Sequence, residues 1–276
     1  MQQVLKTMLE NVRAKTPLVH NITNYVTVND VANVLLAAGG SPIMSDDADD
    51  VEDITSICGG LNINIGTLNK NTIPSMFLAG KKANALGHIV LLDPVGAGAS
   101  RLRTDTANRL MREVRFDAVR GNISEIKTLC TGSGSTKGVD ADAVDAVTEA
   151  NLDDGVALVK AFAKQTGCII AVTGAIDLVS DGERCWCIRN GRAEMSRITG
   201  TGCQLSALMT AFLVANPDRK LDAAAAAVCM MGLAGEIGWA NMQPGDGNST
   251  YRNRIIDAIF NMTGDALEEG AKYELR

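Results

Sequence analysis

His88-Ile89-Val90-Leu91-Leu92-Asp93 is apolar almost without a break, ends in a carboxylate and runs into the loop Pro94-Val95-Gly96-Ala97-Gly98-Ala99. A strand-length run that does not alternate suits a strand covered on both faces, as strands of a parallel sheet are when crossover helices pack over them. In such sheets ligands bind beyond the carboxyl ends of the strands. Asp93 therefore stands where a site is expected.

The neighbouring sequence repeats this pattern in both directions. Upstream, Val19 to Ile22, Ser41 to Met44 and Leu61-Asn62-Ile63-Asn64-Ile65 read as short strands. Downstream, Ala118-Val119-Arg120 and Cys168 to Thr173 do the same. Helical stretches separate them. Leu5, Met8, Leu9 and Val12 form a packing face, and a helix over about 29–38 stops at Gly39-Gly40. Ser45 or Asp46 is expected to cap a helix that carries Val51, Ile54 and Ile57 on one face and ends at Gly59-Gly60. Asn71 or Thr72 opens another, with Pro74 in its first turn and Gly87 at its close. Further helices begin at Thr104, after Asn122, and over Leu152 to Gln165. Ile176 to Ser180 and Arg184 to Ile188, joined by Asp181-Gly182, read as a hairpin. Past Gly200 the chain is helical, with breaks near Pro217 and Pro244. Region 131–150, with Gly132, Gly134 and Gly138, reads as a surface insertion. Strands alternating with helices predict an α/β fold of three layers, a mostly parallel central sheet with helices on both faces.

Composition narrows the function. The 276 residues carry a net charge of −6, with 21% charged and 4% aromatic residues. That argues against a nucleic-acid or anionic-membrane partner, which would favour a basic face or a stacking platform. The seven cysteines include no C-x-x-C pair, so zinc is not expected, and most lie in apolar runs, which fits a reducing compartment. No secretory leader is evident at the N-terminus. The apolar run from Leu221 to Trp239 contains Asp222, Glu236 and several glycines, and reads as a buried helix.

Four segments carry chemistry. Asp93, at a strand end, can hold a hydrated cation or a polar substrate group, or simply cap a helix. The loop after it has G-x-G without a third glycine, and the acid precedes it, which disfavours a dinucleotide fingerprint. Arg120-Gly121-Asn122-Ile123-Ser124-Glu125 is a capping box by spacing, and equally a carboxylate and amide that can hold Mg²⁺ through waters, with Arg120 near phosphates. Thr173-Gly174 ends a third strand. Ile198-Thr199-Gly200-Thr201-Gly202-Cys203 then leads into an apolar helix whose first N–H groups lack intrahelical partners, a place that suits an anion. His20 and His88 have no spacing partner and read as structural. No G-x-S-x-G elbow supports a serine triad.

Taken in order, these segments resemble the ribokinase-like small-molecule kinases, and within them the hydroxyethylthiazole kinase family. The resemblance rests on Pro17-Leu18-Val19-His20-Asn21-Ile22-Thr23-Asn24, Gly40-Ser41-Pro42-Ile43-Met44, Leu61 to Leu68, Leu92 to Ala99, Arg120 to Glu125, Ala171 to Gly174 and Thr199 to Cys203. It implies a single ribokinase-like kinase domain over 1–276. It implies ATP- and Mg²⁺-dependent phosphorylation of the primary hydroxyl of 4-methyl-5-(2-hydroxyethyl)thiazole, for thiamine diphosphate biosynthesis and salvage. It also implies a cytoplasmic homotrimer with active sites between subunits. By position, Met44 and Gly200 contact the thiazole, Arg120 and Thr173 contact ATP, and Asp93 and Glu125 serve Mg²⁺ and phosphate. Cys203 stands where the wider superfamily has a catalytic Asp. A thiolate there, its pKa lowered by the helix N-terminus, could take a proton, while a neutral thiol could only line the pocket.

The segment Gln243 to Tyr251 departs from the Pro-Gly-Ser-Phe pattern of the family. Competing readings are a kinase for hydroxymethylpyrimidine, a silent thiazole-binding scaffold and a nicotinamide dehydrogenase. The segments around His20 and Met44 speak against the first. The phosphate-handling residues speak against the second, and the missing glycine against the third.

Overall fold

The computed structural model describes residues 3–131 and 146–276. Among them, nine strands form one sheet in the order β2-β1-β3-β4-β5-β6-β7-β8-β9. The first six in that order are parallel: β1 (Leu18–Ile22), β2 (Ser41–Met44), β3 (Gly60–Asn64), β4 (Ile89–Asp93), β5 (Ala118–Asn122) and β6 (Ile169–Thr173). β7 (Asp177–Ser180), β8 (Cys185–Ile188) and β9 (Tyr273–Leu275) extend the sheet in antiparallel fashion.

Helices cover both faces, as expected of strands that are apolar on both sides. One layer holds α3 (Val51–Ile57), α4 (Thr72–Leu86), α5 (Arg101–Glu113), α6 (Ile123–Thr131) and α7 (Leu152–Thr166), packed on Leu61, Ile63, Val90, Leu92, Val119 and Val172. The other holds α1 (Val4–Lys15), α2 (Val28–Ala38), α8 (Thr201–Ala215), α9 (Lys220–Ala240), α10 (Asn248–Asn261) and α11 (Gly264–Gly270). α8 lies along the sheet against β1, β3 and β4, and Gly60 makes room for it: a Cβ there would come within 2.5 Å of Val214. The segment Pro217–Ala240 is long and apolar enough to cross a membrane, yet 78% of its apolar window is buried inside the fold.

The structure corrects the sequence reading at several edges. α3 starts at Val51 after Asp50, without a side-chain cap from Ser45 or Asp46, and Ile57 is exposed although Val51 is buried. α5 starts at Arg101, three residues before Thr104. Ser100 is its cap, accepting from Arg103 N at 3.3 Å, and the Thr104 hydroxyl instead accepts from Gly98 N. Gly60 opens β3 rather than ending α3. β9 was not expected. Of the expected surface insertion over 131–150, residues 132–145 lie outside the described residues. His20 is satisfied by Thr55 Oγ1 and the Ser45 carbonyl at 3.0 and 2.9 Å, but the buried Nδ1 of His88 has no hydrogen-bond partner.

Candidate active site

Alternation along a strand sends successive side chains to opposite faces. On the face covered by α8 it gathers the polar residues. Asn64 of β3, Asp93 of β4 and Thr173 of β6 end their strands, with Asn64 paired in register to Asp93, while Asn62 and Arg120 stand mid-strand in β3 and β5 on the same face. Leu61-Asn62-Ile63-Asn64 alternates apolar and polar residues, and every residue of β3 is buried, both asparagines included.

Asp93 is the centre of this group and fully buried. Its Oδ2 accepts from Ser206 Oγ (2.7 Å), Asn64 Nδ2 (2.9 Å) and Arg120 Nη1 (3.4 Å). Its Oδ1 is buried with no partner. Burial pushes its carboxyl above the ordinary range, although Arg120, Ser206 and Asn64 pull it back. Arg120 reaches across the sheet: its Nη1 meets Asp93 and its Nη2 donates to Thr173 Oγ1 at 2.6 Å. The guanidinium lies against the first turn of α8, where a Cβ on Gly202 would come within 2.5 Å of Nη2. Any side chain at residue 202 would push the guanidinium out of this position.

Gly200 caps α8 with φ +85°, a left-handed conformation that favours glycine, and a methyl on it would also run into Thr27. The chain thus turns sharply and aims the unpaired N–H groups of the first α8 turn at the space beside Arg120.

Glu125 fulfils the capping box and does more. Asn122 Oδ1 accepts from Glu125 N (2.9 Å), and Glu125 Oε2 accepts from Asn122 N (2.8 Å). Its other oxygen accepts from Gly96 N at 2.7 Å, so the same carboxylate ties the Asp93 loop to α6. Burial, helped by the negative charge of Asp93, pushes it up to about 7.

Cys203 and Met44 meet in a small apolar cluster with Val19, Val31, Leu35, Ala207, Ala211 and Val95. Of the two states left open for Cys203, its surroundings favour the neutral thiol. Burial first, then Asp93, pushes the Cys203 thiol above its ordinary value, against the pull of Arg120, Asn64 and Asn24. A neutral thiol is the resting form at neutral pH.

The structure therefore brings together all seven residues singled out in the sequence: Met44, Asp93, Arg120, Glu125, Thr173, Gly200 and Cys203. It adds Asn24, Asn64 and Ser206, which sequence reading missed, and Asp177. The Asp177 carboxyl accepts from Gly174 N at 2.8 Å and is pushed up to about 7, mainly by burial. The available signal was the pair of asparagines alternating with apolar residues in a strand that has no charged residue.

Among the described residues no three His, Cys, Asp or Glu side chains converge as a metal cage. Mg²⁺ bound with nucleotide phosphates needs only one or two carboxylates and keeps waters. The unpartnered Asp93 Oδ1 beside a second buried carboxylate fits that demand.

Residues 9–265 match the Hydroxyethylthiazole kinase family. A hydroxyethylthiazole kinase of Clostridium acetobutylicum is 58% identical over 271 residues, covering 98% of this chain and 99% of that protein. One of Ruminiclostridium cellulolyticum is 48% identical, covering 96% and 95%. The solved hydroxyethylthiazole kinase of Pyrococcus horikoshii OT3 superposes with a TM-score of 0.88 at 32% identity over 100% of both chains. The pyridoxal kinase of Staphylococcus aureus, solved with ADP, shares the ribokinase-like fold at a TM-score of 0.62 and 15% identity, over 94% of this chain and 97% of that one.

Proposed function

The chain belongs to the hydroxyethylthiazole kinase family and is a phosphotransferase, and from that premise we propose that it moves the γ-phosphoryl group of Mg·ATP to the primary hydroxyl of 4-methyl-5-(2-hydroxyethyl)thiazole. The product would feed thiamine diphosphate biosynthesis and salvage. The observation that carries this reading is the meeting of Asp93, Arg120 and Cys203 at the glycine-framed start of α8.

Phosphoryl transfer asks a protein mainly for positioning and for neutralisation of charge. Arg120 supplies a planar cation to the phosphates, with Thr173 beside it as a hydroxyl for the nucleotide. The first N–H groups of α8 stabilise charge on the moving group. Asp93 and Glu125 would hold Mg²⁺ through its waters, and the ion would neutralise phosphate charge. Met44 and Gly200 would seat the thiazole, in keeping with the apolar cluster that Met44 shares with Cys203. Cys203 would face the acceptor hydroxyl. A loose transition state demands little of a base, so a neutral thiol that orients the hydroxyl suffices.

The domain is taken as one unit over 1–276, acting as a homotrimer with its sites between subunits. Tyr25 (77% exposed) and Val26 (57%), next to Asn24 at the mouth of the site, support this, because a second copy would cover them. A cytoplasmic location accords with seven free cysteines.

The test is ADP release from Mg·ATP with the hydroxyethylthiazole, with hydroxymethylpyrimidine, and with no alcohol. Thiazole-dependent ADP and a product heavier by one phosphate are expected. Turnover with the pyrimidine alone would refute the substrate assignment. Thiazole binding without turnover would refute the reaction.

A further inference from the structure

Two asparagines close on the Cys203 sulfur. Asn24 Nδ2 and Asn64 Nδ2 each lie 3.2 Å from Sγ, one from the loop after β1 and the other from the end of β3. All three residues are buried.

Which end of each amide is the nitrogen follows from partners that can play one role only. The Gly66 N–H can only donate, and it lies 2.9 Å from Asn64 Oδ1. The other end of Asn64 is therefore its NH₂, which gives one hydrogen to Asp93 Oδ2 at 2.9 Å. Asn24 meets that same Asn64 oxygen at 3.0 Å, so it must do so with its own nitrogen. Its oxygen is left for the Thr27 hydroxyl at 3.0 Å. Each NH₂ has then used one hydrogen and presents the second to the sulfur. The sense of the network is fixed by a backbone donor, not by the choice of amide rotamer.

We propose that Asn24 and Asn64 form an amide cradle that sets the position of the Cys203 sulfur, which makes Asn24 a positioning residue for phosphorylation of the substrate hydroxyl. The proposal rests on the reading that Cys203 faces that hydroxyl. Because the sulfur accepts two N–H groups, the thiol hydrogen is turned away from both amides. The S–H is then free to donate to the incoming oxygen and hold it in line with the phosphate. Asn64 also serves Asp93, so its loss would disturb the phosphate side as well. Asn24 side-chain hydrogen bonds run to Thr27, Asn64 and the sulfur and none to Asp93, so its loss reaches the phosphate side only through Asn64.

A double-mutant cycle tests this. Steady-state kcat and KM for the hydroxyethylthiazole are measured, with Mg·ATP saturating, for the wild type, Asn24→Ala, Cys203→Ala and the double variant, each checked for folding by its Tm. Asn24→Ala should lower kcat roughly fivefold to tenfold, the scale of one lost hydrogen bond, in the wild-type background. In the Cys203→Ala background the same change should cost less than about twofold in kcat. Equal losses in both backgrounds would overturn the cradle, because Asn24 would then act without the sulfur. Unchanged kcat in Cys203→Ala alone would instead overturn the reading of Cys203, and the cradle with it. If Asn24→Ala does not fold, Asn24→Ser carries the same cycle.

Discussion

The two faces of the sheet are built from the same strands and do different work. On β3, β4, β5 and β6 the residues facing α3 to α7 are Leu61, Ile63, Leu92, Val119 and Val172, an apolar layer throughout. Their immediate neighbours Asn62, Asn64, Asp93, Arg120 and Thr173 face the opposite layer and form a polar row, buried except for the half-buried Thr173. One face was free to maximise packing. The other contains a carboxylate held above its ordinary range and an oxygen with no partner, features that cost stability and make sense where charge is to be bound. Within the fold, chemistry and packing are separated by the two-residue period of a strand rather than by distance along the chain.

Breaking the packed face should have the largest effect on stability. Leu92→Ala is expected to lower the unfolding free energy by about 2–5 kcal/mol, as buried leucine truncations do. Its kcat per folded molecule should stay near that of the wild type, which urea unfolding and kinetics on one sample would check. On the polar face, Arg120→Lys keeps the charge but loses the fork that spans Asp93 and Thr173. A fall of roughly 10–100-fold in kcat/KM for ATP is expected, with a much smaller change in Tm. At the rim of that face, Gly200→Ala meets both an unfavourable φ and the Thr27 methyl. It should cost about 1–3 kcal/mol and raise KM for the thiazole, measured by calorimetry and initial rates.

The smallest effect concerns pH. The Glu125 carboxyl is raised to about 7 in the folded chain, so the folded state keeps a proton that the unfolded chain gives up nearer the ordinary value. The stability it contributes is full at low pH and is lost as pH rises toward 7. Glu125→Gln forfeits one of two backbone N–H acceptors and should be the less stable form at about pH 5. That gap should narrow, by on the order of 1 kcal/mol or more, by about pH 8. A gap that widens over the same range would show that Glu125 is not held up by burial.

Much of this was legible in the chain. Unbroken apolar runs marked β4 and β6, and glycines or prolines marked several helix limits, Gly87 and Gly200 with positive φ among them. The ends of β4, β5 and β6 and the start of α8 mark the candidate site in the sequence itself. What was not legible depends on contacts far apart in sequence. β9 is three residues whose pairing with β8 makes them a strand. Alternation puts Asn64 on the face opposite Ile63, and α8, more than a hundred residues later, is what covers it. At Cys203 the dipole of the helix end leaves a thiolate and a neutral thiol both open in the sequence. Desolvation and a neighbouring carboxylate outweigh that dipole, and neither can be read from local spacing.

The most direct measurement is the rate at which Asp93→Asn phosphorylates the hydroxyethylthiazole from Mg·ATP, at a folded concentration matched to the wild type. If the polar face is the phosphoryl-transfer site, the rate should fall by roughly 10²–10³-fold, the scale of removing one preorganised charge from a transition state. A rate within about threefold of the wild type, less than about 1 kcal/mol in barrier, would contradict it.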